Sequence, residues 1–82
     1  MLYDRRPPAD RLTPREMEVL RLLLGGHSNK GVGLALGISP RTVEVHRLRC
    51  REKLQAATTA ELAVTALAAG VQPRRLEGGQ VK

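Results

Sequence analysis

Apolar residues recur at intervals of three or four along most of this chain, the spacing that places side chains on one face of an α-helix. The first such series consists of Met17, Leu20 and Leu24, and the pair Gly25-Gly26 closes it. No window alternates apolar and polar residues for long enough to indicate a β-strand. The pattern therefore predicts an all-α fold built from short helices.

Hydroxyl side chains suited to capping precede four of the helical stretches. They are Thr13, Ser28, Ser39 and Thr58. A hydroxyl at this position accepts a hydrogen bond from a free backbone amide of the first helical turn. The predicted helices occupy residues 14–24, 29–36, 40–54 and 59–69, and together they predict a compact four-helix bundle.

A tight turn at residues 37–39 joins the second and third predicted helices, an arrangement typical of a helix-turn-helix. The second helix is weak by itself, because Gly31 and Gly33 each cost about 1 kcal/mol relative to alanine in a helix interior. Tertiary packing must therefore hold it in place.

Residues 12–71 are predicted to form a single folded domain, between a flexible linker at 1–11 and a disordered tail at 72–82. No apolar run is long enough to cross a bilayer, and the first residues lack the apolar stretch of a signal peptide. The one cysteine, Cys50, excludes an internal disulfide. These features predict a cytoplasmic domain without a membrane partner.

Charge indicates the class of partner. The chain has 14 Lys and Arg against 8 Asp and Glu, a net charge of +6, which favours a polyanion such as nucleic acid. Tyr3 is its only aromatic residue, whereas modules for RNA or single strands stack bases on aromatic side chains. Double-stranded DNA is therefore the predicted partner.

The third predicted helix has two unlike faces at 100° per residue. Val43, Cys50 and Leu54 share a stripe predicted to pack inward. The opposite face is predicted to read base edges in the major groove. Its members are Arg41, Glu44, Val45, Leu48 and Arg49.

These side chains have suitable chemistry for base recognition. Arg41 and Arg49 can each donate two hydrogen bonds to guanine, and Val45 or Leu48 can contact a thymine methyl group. Glu44 can accept a hydrogen bond from cytosine N4. Other polar residues are predicted to contact phosphates, which position a protein without specifying sequence. They are Lys30, Ser39, Thr42, Arg47, Arg51 and Lys53.

Simpler interpretations of the same face stay open. A basic helix face is often only solvated. Glu44 can pair with Arg47 or Arg41 along its own helix instead of reading a base. Leu48 can be an ordinary exposed apolar residue.

The fourth predicted helix has two apolar stripes. Leu62, Ala66 and Ala69 form the stripe suited to the core. The second stripe is predicted to be the interface of a weak homodimer. It consists of Ala60, Val64, Leu67 and Val71. The alternatives are that these residues are scattered surface apolars or that they bind a different protein.

His27, His46 and Cys50 are the residues nearest to a metal-ligand set. His46 and Cys50 are four apart on a helix, but no second pair completes a tetrahedral site. No nucleophile and base stand in a recognisable context, and the glycine pairs do not follow a strand as a dinucleotide loop requires. The sequence predicts no metal, no cofactor and no enzymatic activity.

Several motifs, in this order, closely resemble the LuxR-type (GerE-like) helix-turn-helix. They are residues 12–16 (LTPRE), 28–30 (SNK), 36–46 (LGISPRTVEVH) and 53–54 (KL). Residues 39–47 are especially similar to the FixJ/NarL group of response regulators. The resemblance extends from Leu12 to about Gly70.

The resemblance implies a four-helix domain whose third helix enters the major groove and whose fourth helix dimerises. It implies binding to promoter sites, often imperfect inverted repeats, and control of transcription initiation, with RNA polymerase as a further partner. It places such a domain at the C-terminal output end of a two-component response regulator. A stand-alone GerE-like regulator and a protein-interaction module are the alternatives.

Carried over by position, the resemblance puts Glu44, Val45 and Leu48 on base-facing positions. It puts another group of residues near the DNA backbone, namely Thr42, His46, Lys30 and Lys53. The chain also departs from the family pattern. Many relatives have lysine at the positions of Glu44 and Leu48, so base preference is expected to depend more on Arg41 and Arg49. Further departures are Gly31 for glutamate, Gly33 for alanine and Thr59 for arginine.

Overall fold

The computed structural model describes residues 6–76 of the chain. Within this range it contains a short 3-10 helix, Pro8–Arg11, and four α-helices. The α-helices are α1 (Pro14–Leu24), α2 (Asn29–Leu36), α3 (Pro40–Lys53) and α4 (Thr59–Ala68). The described residues form no strand. The all-α, four-helix fold predicted from the sequence is confirmed, and every helix boundary lies within one residue of its prediction.

Side-chain caps explain why the boundaries follow the local sequence. At the start of α1, the Thr13 hydroxyl accepts from the Glu16 amide at 3.1 Å, and the Glu16 carboxylate accepts from the Thr13 amide at 2.9 Å. At the start of α4, Thr58 accepts from the Glu61 amide at 3.0 Å. The Glu61 carboxylate reaches one residue further back, to the amide of Ala57 at 2.7 Å.

The core consists of two apolar clusters that share α1 and α3. The first cluster lies where α4 packs against α1 and α3. Its buried members are Leu20, Cys50, Leu54, Ala56, Leu62, Ala66 and Val71. The second cluster lies between α1, α2 and α3. Its buried members are Val19, Leu22, Val32 and Val43. Because α3 contributes to both clusters, it is held on two sides and its remaining face turns outward.

Gly33 and Gly31, expected to weaken α2 equally, differ in the structure. A Cβ atom at Gly33 would lie 2.5 Å from the carbonyl oxygen of Ile38, since the turn crosses α2 at this point. A Cβ atom at Gly31 would lie 3.5 Å from the Ser28 hydroxyl, an ordinary contact. The close approach of the turn therefore requires glycine at position 33 but not at position 31. Within the turn, Gly37 has a left-handed backbone conformation (φ 71°), which glycine adopts without strain.

The described residues on both sides of the bundle make contacts with it. Residues 8–11 form the 3-10 helix, and Ala9 packs against the first cluster. At the other end, residues 72–76, here named the C-terminal strap, lie against α1, and Leu76 packs against the second cluster. The parts of the predicted linker and tail at residues 1–5 (with Tyr3) and 77–82 lie outside the described residues.

Glu16 joins α1 to the end of α3. Its side chain is buried, and its carboxylate accepts from the ammonium group of Lys53 at 2.8 Å as well as from the Thr13 amide. Burial raises the pKa of Glu16, but the hydrogen bonds from Lys53 and Thr13 together outweigh it, so the pKa lies below its usual value. The ionised form is therefore the one that the fold stabilises.

We expect opposite effects from alanine at the two glycines of α2. Gly31→Ala should raise the free energy of unfolding by roughly 0.4–1 kcal/mol, because alanine favours the helix and fits the space. Gly33→Ala should lower it by about 1–3 kcal/mol, because the new methyl group forces the turn away from α2. Urea denaturation of both variants measures the difference, and equal stabilities would contradict the observed close approach.

Stability should also depend on pH through Glu16. A carboxyl whose folded pKa lies below the unfolded one contributes fully above the unfolded value, near 4.5, and loses that contribution as the pH falls through the folded pKa. Glu16→Gln should lower the free energy of unfolding by roughly 1–3 kcal/mol at pH 7. In this variant the free energy of unfolding should also fall less steeply as the pH drops below 4.5. Thermal unfolding between pH 3 and 7 tests this, with Glu18→Gln, an exposed carboxyl of the same helix, as the control.

Candidate nucleic-acid interface

The outward face of α3 is set by residues that turn inward. Val43 and Cys50 have no exposed surface, so the helix cannot rotate about its axis without opening both core clusters. Four of the five predicted base-reading residues are consequently exposed. They are Arg41, Val45, Leu48 and Arg49. Val45 and Leu48 retain 41% and 42% of their surface, a large exposure for apolar side chains.

The start of α3 presents two neighbouring hydroxyl groups. Ser39 caps the helix by accepting from the Thr42 amide at 3.1 Å, and the hydroxyls of Ser39 and Thr42 lie 3.0 Å apart. Both residues are exposed, and Pro40 occupies the first helical position, where no amide is needed. This helix end has donors suited to an anion such as a phosphate.

Glu44, the fifth predicted base reader, is engaged within the protein. Its carboxylate accepts from the side-chain amide of Asn29 on α2 at 2.9 Å and from two guanidinium nitrogens of Arg47. The hydrogen bonds from Arg47 and then Asn29 hold the pKa of Glu44 below its usual value. Of the two interpretations left open by the sequence, the structure contains the pairing with Arg47.

Three basic residues predicted to contact phosphates also have intramolecular partners. Arg47 bonds Glu44 and the Thr59 hydroxyl at the start of α4. Arg51 donates to carbonyl oxygens in the loop before α4, and Lys53 pairs with Glu16. A phosphate contact by any of these would require sharing or exchanging a bond already made.

Three cations without such a bond lie on the outer surface of the helix-turn-helix. Lys30, Arg41 and Arg49 are exposed, and no acidic side chain among the described residues pairs with them. His46, which the family resemblance places near the DNA backbone, is half-buried, and its Nδ1 atom is buried without a hydrogen-bond partner. Within the helix-turn-helix, the unpaired positive charge thus lies on α3 and at the start of α2.

On α4, the predicted dimer stripe is only partly exposed. Ala60 is exposed, and Val64 and Leu67 retain 69% and 51% of their surface. Val71 requires a correction, because it is 6% exposed and belongs to the first core cluster. The chain reverses at Gly70 (φ 89°), and the Val71 amide donates to the Ala66 carbonyl at 3.0 Å, which turns this side chain inward.

A similar correction applies to Ala69. It was expected in the core stripe, but α4 ends at Ala68, and Ala69 is exposed. Sequence reasoning also gave no role to Asn29, whose amide holds Glu44. Nothing local predicts that bond, because the two residues are 15 positions apart on different helices.

Residues 6–76 contain no group of three or more His, Cys, Asp or Glu side chains close enough to hold a metal ion. Burial raises the pKa of the Cys50 thiol to about 12, so the thiol stays protonated. No helix in the same range has the length and apolar content needed to cross a bilayer.

Comparison with known proteins agrees with the geometry of the helix-turn-helix. Residues 10–66 match the GerE model, described as bacterial regulatory proteins, luxR family. The chain is 50% identical over 62 residues to the transcriptional regulatory protein FixJ of Azorhizobium caulinodans, covering 76% of this chain and 29% of that protein.

Two further relatives have similar identities. The tetrathionate response regulatory protein TtrR of Salmonella typhimurium is 49% identical over 51 residues, 62% of this chain and 25% of TtrR. The transcriptional regulatory protein UhpA of Escherichia coli is 44% identical over 54 residues, 66% of this chain and 28% of UhpA. The matched part thus spans less than a third of each of these three relatives. No solved structure gives a significant match.

Proposed function

This chain belongs to the LuxR family of bacterial regulatory proteins, and we propose that it binds double-stranded DNA by placing α3 in the major groove. The observation that carries the proposal is the exposed face of α3. On this face, Arg41 and Arg49 flank Val45 and Leu48, and the opposite face is locked into the core. Guanidinium and branched apolar groups suit guanine edges and thymine methyls.

Phosphate contacts in this proposal come first from groups that need no rearrangement. Lys30 is exposed and unpaired among residues 6–76, and the hydroxyls of Ser39 and Thr42 lie at the start of α3. His46 lies on the flank of the same helix. Arg47, Arg51 and Lys53 form a second group, since each already bonds the protein.

Glu44 has a different role in this proposal from the one its position suggested. Because Asn29 and Arg47 occupy its carboxylate, reading a cytosine would require breaking bonds that hold α2 to α3. Base preference therefore depends on Arg41, Val45, Leu48 and Arg49. Glu44 acts as a positioning residue for α3.

The wider role is that of a regulator of transcription. FixJ and UhpA are described as transcriptional regulatory proteins and TtrR as a response regulatory protein. The proposed role of this chain is the C-terminal output domain of a cytoplasmic two-component response regulator, acting on RNA polymerase at promoters with inverted repeats. A stand-alone regulator is the alternative.

Self-association is proposed through α4. Ala60, Val64 and Leu67 form a small apolar surface whose side chains permit close approach. A surface of three such residues is far below the size of a stable interface. Dimers are accordingly expected on DNA, where two adjacent sites bring two copies together.

DNA binding is tested by selecting duplexes from a random pool and measuring affinity by fluorescence anisotropy. Affinity should fall steeply with salt, because phosphate contacts release counterions. On the selected site, Arg41→Ala and Val45→Ala should each lower affinity roughly 5- to 150-fold, which corresponds to about 1–3 kcal/mol of base discrimination. Binding to unrelated duplexes should change much less.

The control for this experiment is Arg15→Ala, which removes an exposed arginine of α1 that pairs with Glu18 at 3.0 Å. It should leave site preference unchanged. If Arg41→Ala and Val45→Ala select the same sites with the parent affinity, base readout by α3 is wrong. A parent chain that binds no duplex would reject the whole proposal.

Dimerisation is tested by sedimentation with and without a duplex that contains two half-sites. Val64→Lys/Leu67→Lys should remove the second bound copy and leave binding to a single half-site intact, because charge opposes burial of this surface. Leu34→Lys is the matched control, since Leu34 is a 77% exposed apolar residue on α2. If two copies of the double variant still bind the duplex, the proposed interface is wrong. A monomer indifferent to DNA would instead favour a protein-interaction module.

A further inference from the structure

The C-terminal strap lies beyond the residues that match the family model, yet hydrogen bonds hold it to the domain along its length. The guanidinium Nε of Arg21 donates to the Gln72 carbonyl at 2.9 Å, and the Arg74 amide donates to the Arg21 carbonyl at 2.9 Å. The Leu76 amide donates to Nε2 of His27 at 3.2 Å. Three bonds in five residues give this segment a defined course.

Packing fixes the same course. The Leu76 side chain lies against the second core cluster. The Arg74 carbonyl lies so close to Gly25 that a Cβ atom there would be 2.0 Å from its oxygen. Gly25 has an ordinary helical conformation (φ −75°). What excludes a side chain at Gly25 is therefore the strap and not the local backbone.

The strap meets the domain beside the start of α2, where Asn29 contacts α3. His27 is two residues before Asn29, a reach of at most about 7 Å, and Asn29 bonds Glu44 of α3. Leu76 also lines one cavity together with His27 and Gly31, the residue next to Lys30. The strap thus contacts the start of α2, the part of that helix that carries Lys30.

Two consecutive arginines stand on this anchored segment. Arg74 and Arg75 are exposed, and no acidic side chain among the described residues pairs with them. A free basic tail loses conformational entropy when it binds a polyanion, whereas a segment already fixed by its backbone loses less. These two arginines add positive charge to the segment that contacts the start of α2.

We propose that the C-terminal strap presents Arg74 and Arg75 to the phosphate backbone of bound DNA and extends the α3 interface past the start of α2. The proposal rests on the DNA-binding function proposed above. The contact is independent of base sequence, since guanidinium–phosphate pairs position a protein without reading bases. The occupant is the sugar-phosphate backbone that flanks the site read by α3.

The test measures the salt dependence of duplex binding between 50 and 200 mM salt for the 82-residue chain and Arg74→Gln/Arg75→Gln. The slope of log affinity against log salt should fall by roughly 0.9 for each lost contact, or by about 2 for both. The same reduction should occur on the selected site and on an unrelated duplex.

Two further variants distinguish a phosphate contact made by the positioned strap from a general effect of lowering the positive charge of the protein. Arg11→Gln/Arg15→Gln removes two positive charges near the other end of α1, about 16 Å away along the helix, and should leave the slope nearly unchanged. Gly25→Ala keeps every charge but displaces the strap, so its slope should fall as in the arginine variant. Thermal unfolding checks that each variant is folded.

The outcomes distinguish this inference from the function on which it depends. A parent chain that binds no duplex overturns both. Only the strap contact is overturned if the parent binds and Arg74→Gln/Arg75→Gln has the same salt slope as the parent. The same conclusion follows if its slope falls by no more than the slope of Arg11→Gln/Arg15→Gln. If Gly25→Ala is too unstable to measure, the comparison of the two double variants still decides.

Discussion

The molecule depends on the burial of one face of α3 in two places at once. Val43 enters the cluster formed with α1 and α2, and Cys50 enters the cluster formed with α1 and α4. Successive residues on a helix are 100° apart, so these two contacts fix the direction of every other side chain on it. A rotation by one position would bring Glu44 into the core, and burying an unpaired carboxylate is strongly unfavourable. The outward direction of Val45 follows from this constraint.

Much of the charge near α3 supports the scaffold. Arg47 connects Glu44 on its own helix with Thr59 on α4, and Lys53 connects the end of α3 with Glu16 on α1. The count of 14 Lys and Arg residues therefore overstates the number of cations that are free to contact a polyanion. The sequence indicates a basic face on the third helix, whereas the structure divides the cations of α3 into those that hold helices together and those that face solvent.

The helices were predictable because their signals are local. A hydroxyl cap such as Thr13 acts on an amide three residues away, so the sequence suffices to place the start of α1. The inward face of α3 was also predictable, because its apolar residues follow the helical repeat. These two kinds of information account for the fold and for the exposure of Arg41 and Arg49.

Features that depend on contacts across the chain were not predictable. Val71 continues the outer stripe of α4 in sequence, but the reversal at Gly70 turns it into the core. Gly33 looks like a helix-weakening residue until the turn that crosses it is known. The strap carries one apolar residue, Leu76, within a polar segment, and only the tertiary structure provides the surface on which it packs. In each case the deciding partner is distant in sequence or lies beyond a change of chain direction.

The environment of Cys50 has a consequence for the chemical durability of α3. Its sulfur atom is shielded from solvent, remains in the protonated form and lies 3.6 Å from the carbonyl oxygen of Glu16. Oxidants and alkylating reagents attack the thiolate, so they can modify this residue only when the helices separate. Since Cys50 is the only cysteine in the chain, the rate at which the protein takes up a thiol reagent is a direct measure of how often its core opens.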